Sequence, residues 1–222
     1  MKQRTIPFAA LLVLAWLLSS CFNAPMYPPL DCAEVSDAKL VTFPFDQSAA
    51  VASIWIQHEY GLTTKEIEGN PSADGIQDTL YWRVEQRRYE VTLWSDARES
   101  ALIRVEWPDR APTLADTLRC LGDPSLYRAY YSWNPEAVWT YLELWYPERG
   151  LMVTAYMTRK ASGFPDNEIV DRTSYVQPGK PEELIPRFFL AVVPGSDRYT
   201  QILHGLKPWP GSIEDVTIDE RG

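Results

Sequence analysis

The sequence predicts an α+β fold: an antiparallel, aromatic-rich sheet with a few short helices. Three observations predict it. Apolar residues recur at every second position over several consecutive segments, as in strands with one wet face. Short stretches of helical spacing, each closed by a glycine, precede two groups of those segments. Nine Trp, twelve Tyr and seven Phe supply the side chains that cross-strand pairs favour.

Taken in order, the chain opens on basic Met1-Lys2-Gln3-Arg4 and then runs uncharged and apolar from Ile6 to Leu18. A bilayer span needs roughly 20 apolar residues, so charge followed by a shorter run reads as a secretory signal rather than an anchor helix. The run ends in Leu18-Ser19-Ser20-Cys21, which resembles the lipobox of bacterial lipoproteins. The resemblance implies removal of residues 1–20 as a signal peptide, lipidation of Cys21 with diacylglycerol and further acyl chains such as palmitate, and an extracytoplasmic protein anchored to the cell membrane or outer membrane. Each buried methylene contributes about 0.8 kcal/mol, so two or more chains give lasting attachment where one does not.

Residues 21–39, with Pro25, Pro28 and Pro29, read as the lipidated cysteine and an extended tether. Residues 40–206 read as the globular domain, with sub-units 40–110 and 111–160, and residues 207–222 as an irregular tail. Asp46 is placed to cap a helix from Ser48 to Tyr60, with Ala52, Trp55, Ile56 and Tyr60 on one face and Gly61 at its end. A short turn from Thr63 or Thr64 to Ile67 closes at Gly69-Asn70-Pro71. Strands follow: Leu80, Trp82 and Val84 alternate with polar residues, as do Tyr89, Val91 and Leu93, then Ala101, Ile103, Val105 and Trp107.

Pro112 and Thr113 open a helix over Leu114–Leu121 that Gly122-Asp123-Pro124 ends. Strands resume over Leu126–Trp133, Val138–Tyr146 and Leu151–Thr158, the last two joined through Pro147-Glu148-Arg149-Gly150. Ile169–Val176 reads as a strand, Glu182–Ile185 as a helical turn, Phe188–Val193 as an apolar strand and Asp197–Leu206 as a helix.

The order helix-then-meander occurs twice, which allows two related units alike in element order and not in residue identity. The second, with Thr113-Leu114-Ala115-Asp116-Thr117-Leu118 leading into Leu121-Gly122-Asp123-Pro124 and strands, resembles the small modules of outer-membrane-assembly lipoproteins of the SmpA/OmlA type. That resemblance covers about fifty residues and implies a scaffold or binding role without catalysis.

Loss of residues 1–20 removes Lys2 and Arg4 from 21 basic residues, leaving 19 against 30 acidic, a formal charge of -11. Such a chain repels phosphate backbones and anionic head groups, so nucleic acid is excluded as a partner and lipid alone does the anchoring. Beyond Cys21 two cysteines remain, Cys32 and Cys120. They either pair, as an extracytoplasmic location permits, or Cys120 is buried unpaired in its apolar helical pattern.

Catalytic motifs are absent from the sequence. His58-Glu59 lacks the second histidine that a helical zinc site needs, Leu62 standing there instead, and His204 is the only other histidine. There is no Gly-x-Ser-x-Gly elbow and no phosphate-cradling glycine loop. No catalytic residue, cofactor or metal is expected. Glu143, Asp171, Glu182 and Glu183 are the acids weighed for an alternative, a carboxylate-based hydrolase of envelope polysaccharide. Trp139, Tyr141 and Trp145 share one side of a strand, either as a second buried layer or as an aromatic face for an envelope protein or glycan; Glu143 among them argues for contact with water.

Overall fold

Period-two alternation becomes strand through the middle of the chain. The computed structural model describes residues 29–71, 77–94, 101–133 and 137–220; the expected signal segment and Cys21 lie outside them. The chain divides into two units, Met1–Leu30 and Asp31–Gly222, and all that follows concerns the second. Its strands are β1 (Glu68–Pro71), β2 (Gln77–Val84), β3 (Arg87–Trp94), β4 (Ala101–Glu106), β5 (Leu126–Trp133), β6 (Val138–Tyr146), β7 (Leu151–Met157), β8 (Val170–Tyr175) and β9 (Lys207–Pro208). They form one sheet in the order β1-β2-β3-β4-β8-β7-β6-β5-β9, every neighbouring pair antiparallel.

Two meanders, β1–β4 and β5–β8, thus meet at their last strands, with Ile103 opposite Tyr175 and Val105 opposite Thr173. Helices α1 (Cys32–Val35) and α2 (Ala49–Tyr60) precede the first meander, α3 (Leu114–Leu121) precedes the second, and α4 (Pro181–Phe188) and α5 (Asp197–Gly205) follow both. The second meander runs past residue 160, because β8 completes it.

Alternation sorts the side chains onto two faces. Leu80, Trp82, Tyr89, Val91, Ile103, Val105, Leu142, Leu144 and Val153 point to one face, where Ala52 and Ile56 of α2 and Leu114 and Leu121 of α3 complete the larger core. On the other face Leu102, Trp145, Met152 and Val176 pack against Leu184, Ile185 and Phe188 of α4 and Ile202 of α5.

Several expectations change. Ser48, not Asp46, is the N-cap of α2; Asp46 instead accepts from Gln177 Nε2 at 3.3 Å. Gly69, Asn70 and Pro71 belong to β1, an edge strand, where glycine and proline cost least. Phe188 ends α4 rather than beginning a strand, because Leu184, Ile185 and Phe188 follow helical spacing onto the second core. Lys207 and Pro208 pair with Tyr127 and Leu126, and Ile213 and Val216 are buried, so the expected tail is part of the domain. Between β6 and β7, Gly150 has φ 59°, and an added Cβ would overlap the Val176 carbonyl oxygen, so the turn requires glycine.

The expected tether gives way to structure at Asp31, which caps α1. Asp37 anchors this segment: its buried carboxylate accepts from Tyr60 Oη at 2.6 Å and Tyr89 Oη at 2.7 Å, with Arg87 Nη1 at 3.8 Å. Burial first, then the Asp37 charge, pushes both phenols far above the ordinary tyrosine range. Trp107 Nε1 donates to the Glu34 carbonyl at 3.2 Å. Cys32 and Cys120 form a disulfide, Cα atoms 5.0 Å apart, that joins α1 to α3. Among the described residues no helix is long and apolar enough to cross a membrane.

Candidate binding face

Strand β6 has no polar-only side. Leu142, Leu144 and Tyr146 enter the larger core, so Trp139, Tyr141, Glu143 and Trp145 all point to the opposite face, which α4 and α5 cover only at one end. Register carries each of them into a row across the sheet. Trp145 lies between Leu126 and Met152, Glu143 between Arg128 and Thr154, Tyr141 between Tyr130 and Tyr156.

The covered end is dry. Trp145 is fully buried, edge-on to Phe188 at 5.2 Å and beside Phe189 at 6.1 Å. It therefore forms no part of an accessible aromatic face, because the chain after β8 folds back over it. Glu143 does not report water either. It is 2% exposed, and its carboxylate accepts from Arg128 Nε at 2.9 Å, Arg128 Nη2 at 2.7 Å, Tyr130 Oη at 3.1 Å and Trp145 Nε1 at 3.3 Å.

Such a pair can stay ionised in a dry site because the fork matches both oxygens and other donors complete the carboxylate's shell; Arg128 Nη1, also buried, has no hydrogen-bond partner among the described residues. Burial works against the Arg128 charge, and the adjacent Glu143 outweighs it, holding the guanidinium above its ordinary value. Burial and the Glu143 charge push the Tyr130 phenol up. The guanidinium carbon lies 4.3 Å from the Tyr130 ring centre and 5.4 Å from that of Phe189. Gly205 of α5 passes so close that a Cβ there would stand 3.2 Å from Arg128 Cδ.

The open end begins one row further. Tyr130 stacks on Tyr141 at 5.4 Å and 11°, Tyr141 meets Tyr156 at 5.7 Å, and Tyr156 meets Trp139 at 5.4 Å. Trp139, Tyr141 and Tyr156 are half-buried, so four rings over three strands form a platform with its inner edge fixed and its outer rings in water. Burial, then Tyr156, raises the Tyr141 phenol. Two ion pairs extend the same face, Arg172–Asp171 at 2.8 Å on β8 and Arg104–Glu90 at 2.8 Å between β4 and β3.

Of the sequence-predicted residues, Trp139 and Tyr141 come together on this platform, Trp145 is buried beneath α4, and Cys32 and Cys120 lie in the disulfide. Among the acids, Glu143 is held by Arg128, Asp171 pairs with Arg172, and Glu182 and Glu183 open α4, where Glu183 accepts from the Lys180 amide at 3.2 Å. Sequence reasoning missed Tyr130 and Tyr156; both fall on the correct alternate positions of their strands, and only register brings them beside Tyr141. His58 is exposed on α2, His204 exposed on α5, and no group of three metal-ligating side chains forms among the described residues. Searches against protein-family models, curated proteins and solved structures find no match to this chain.

Proposed function

We propose that this protein is a non-catalytic binding module of the cell envelope, held at a membrane by lipid on Cys21, and that the platform of Trp139, Tyr141 and Tyr156 receives a partner protein. The observation that carries the reading is the half-buried ring ladder on a sheet face that α4 and α5 leave open. A single exposed aromatic is ordinary; a contiguous set fixed by a buried ion pair behind it is preorganised contact area, ordered before any partner arrives.

Composition supports a protein partner. The open face carries Trp, Tyr and Arg, and strands β2–β8 contain no lysine; aromatics and arginine dominate interface hot spots, whereas lysine is depleted there. The lipobox Leu18-Ser19-Ser20-Cys21 supports the anchor, and the likeness to SmpA/OmlA-type modules supports a scaffold role in the envelope.

Two measurements test the reading. Mass spectrometry of the mature protein from its native membranes should find acylated Cys21 at the amino terminus, and Cys21→Ala should release the protein from the membrane; an unmodified terminus elsewhere removes the anchor. Quantitative co-purification with Trp139→Ala and Tyr156→Ala variants should deplete the same partner in both while the unfolding midpoint moves by no more than the cost of lost ring contacts, about 0.5–1.5 kcal/mol per pair. An unchanged partner set refutes the platform as the site.

A further inference from the structure

At the far edge of the same sheet, Glu66, Glu68, Tyr81, Trp82, Arg83 and Arg88 line a groove of about 490 Å³. It does not rest on the platform reading, since four strands separate β2 from β6 in the sheet. Its volume lies in the range of small-molecule sites.

Arg83 and Arg88 are direct register partners across the β2–β3 hairpin, and both are exposed. Like charges so placed, with Cβ atoms about 4.5–5.5 Å apart, destabilise a sheet unless an anion lies between them. Among the described residues no carboxylate stands within ion-pair distance of either. Glu90 is taken by Arg104 at 2.8 Å. Glu106, opposite Arg88 on β4, does not hold it; the Arg88 guanidinium lies over the Tyr81 ring instead, 5.7 Å from its centre.

The two-residue turn Glu85-Gln86 sets this register: Glu85 has φ 54°, the only positive φ at a non-glycine residue among those described, as the first position of such a hairpin turn requires. The opposite wall is acidic. Glu68 is the register partner of Tyr81, and Glu66 accepts from both the Thr63 amide and hydroxyl at 2.8 Å, bonds that hold its carboxyl below the usual range.

We infer that this groove binds a zwitterion of dipeptide size, its carboxylate between Arg83 and Arg88 and its ammonium toward Glu66 and Glu68. A simple anion is disfavoured because the two carboxylates repel it, and a simple cation because the two guanidiniums do. Only a ligand carrying both charges satisfies both walls.

The test is a titration of the isotope-labelled mature protein with alanyl-alanine, followed through arginine Nε–Hε resonances, beside acetate and ethylammonium titrations. The expected result is saturable movement of the Arg83 and Arg88 signals by the dipeptide at concentrations at least tenfold below those needed for acetate. Arg83→Gln and Glu68→Gln should each weaken dipeptide binding at least tenfold without lowering the unfolding midpoint, as both side chains are exposed and Arg83→Gln also relieves the repulsion from Arg88. Acetate binding as tightly as the dipeptide, movement that does not saturate, or indifference to both substitutions would overturn the inference.

Discussion

Arg128 on β5 and Glu143 on β6 stand directly opposite each other and form a bidentate ion pair, 2.7 Å and 2.9 Å, with each residue only 2% exposed. A pair this dry has lost most of its hydration, so its worth lies in not being half-made. Glu143→Leu should destabilise the protein by about 3–5 kcal/mol, because it leaves a guanidinium buried without its counter-charge. Arg128→Met together with Glu143→Leu should recover most of that loss. Urea unfolding of the two singles and the double makes the comparison, and a double mutant as unstable as the sum of the singles would contradict it.

Alkali should destabilise the fold. Tyr60, Tyr89, Tyr130, Tyr146 and Tyr175 all have phenols raised chiefly by burial. A raised folded-state value means that the folded protein keeps a proton the unfolded chain gives up near pH 10. Stability from these groups is therefore complete below about pH 10 and falls as pH rises beyond it. Absorbance titration should show a set of tyrosines that ionises only as the protein unfolds. Tyr60→Phe should flatten the decline in unfolding midpoint between about pH 10 and 11.

The Cys32–Cys120 disulfide closes a sequence separation of 88 residues. On the chain-entropy model a loop of that length constrains the unfolded state by about 4–5 kcal/mol. A Cys32→Ser and Cys120→Ser double variant should lose stability of that order, and free-thiol labelling of the unfolded native protein should detect neither cysteine. Because Asp37, Trp107 and Arg87 also hold the segment from Asp31 onward, the variant should still fold.

Much of the sheet was legible because alternation is a local signal. Leu114–Leu121 was placed to the residue, since Thr113 caps it and Gly122 ends it, and both meanders were visible in their order. What local pattern does not encode is which strands meet. The β4–β8 seam and the Tyr130–Tyr141–Tyr156 row depend on register, so Tyr130 and Tyr156 were not seen as members of the platform.

Glu143 was misread for a related reason. A carboxylate in an apolar row signals water only when no cation faces it, and Arg128 sits fifteen positions earlier on a different strand. Of the two readings open for its side of the strand, Trp145 takes the buried layer and Trp139 and Tyr141 the face; the sequence does not divide them because the covering helices come after β8, and Pro186 together with the apolar run from Phe188 disguises α4 as the approach to a strand. Lys207–Pro208 formed a strand too short for any periodicity to announce.

The platform claim is tested most directly by site-specific photo-crosslinking in native membranes. A photoreactive phenylalanine replaces Tyr156, and in a control it replaces Ile54, which is 67% exposed on the outward side of α2. One discrete adduct with a protein is expected at position 156, lost on Trp139→Ala, and none at position 54. No adduct at 156, or the same products at both positions, would contradict the assignment of the open aromatic face as the binding surface.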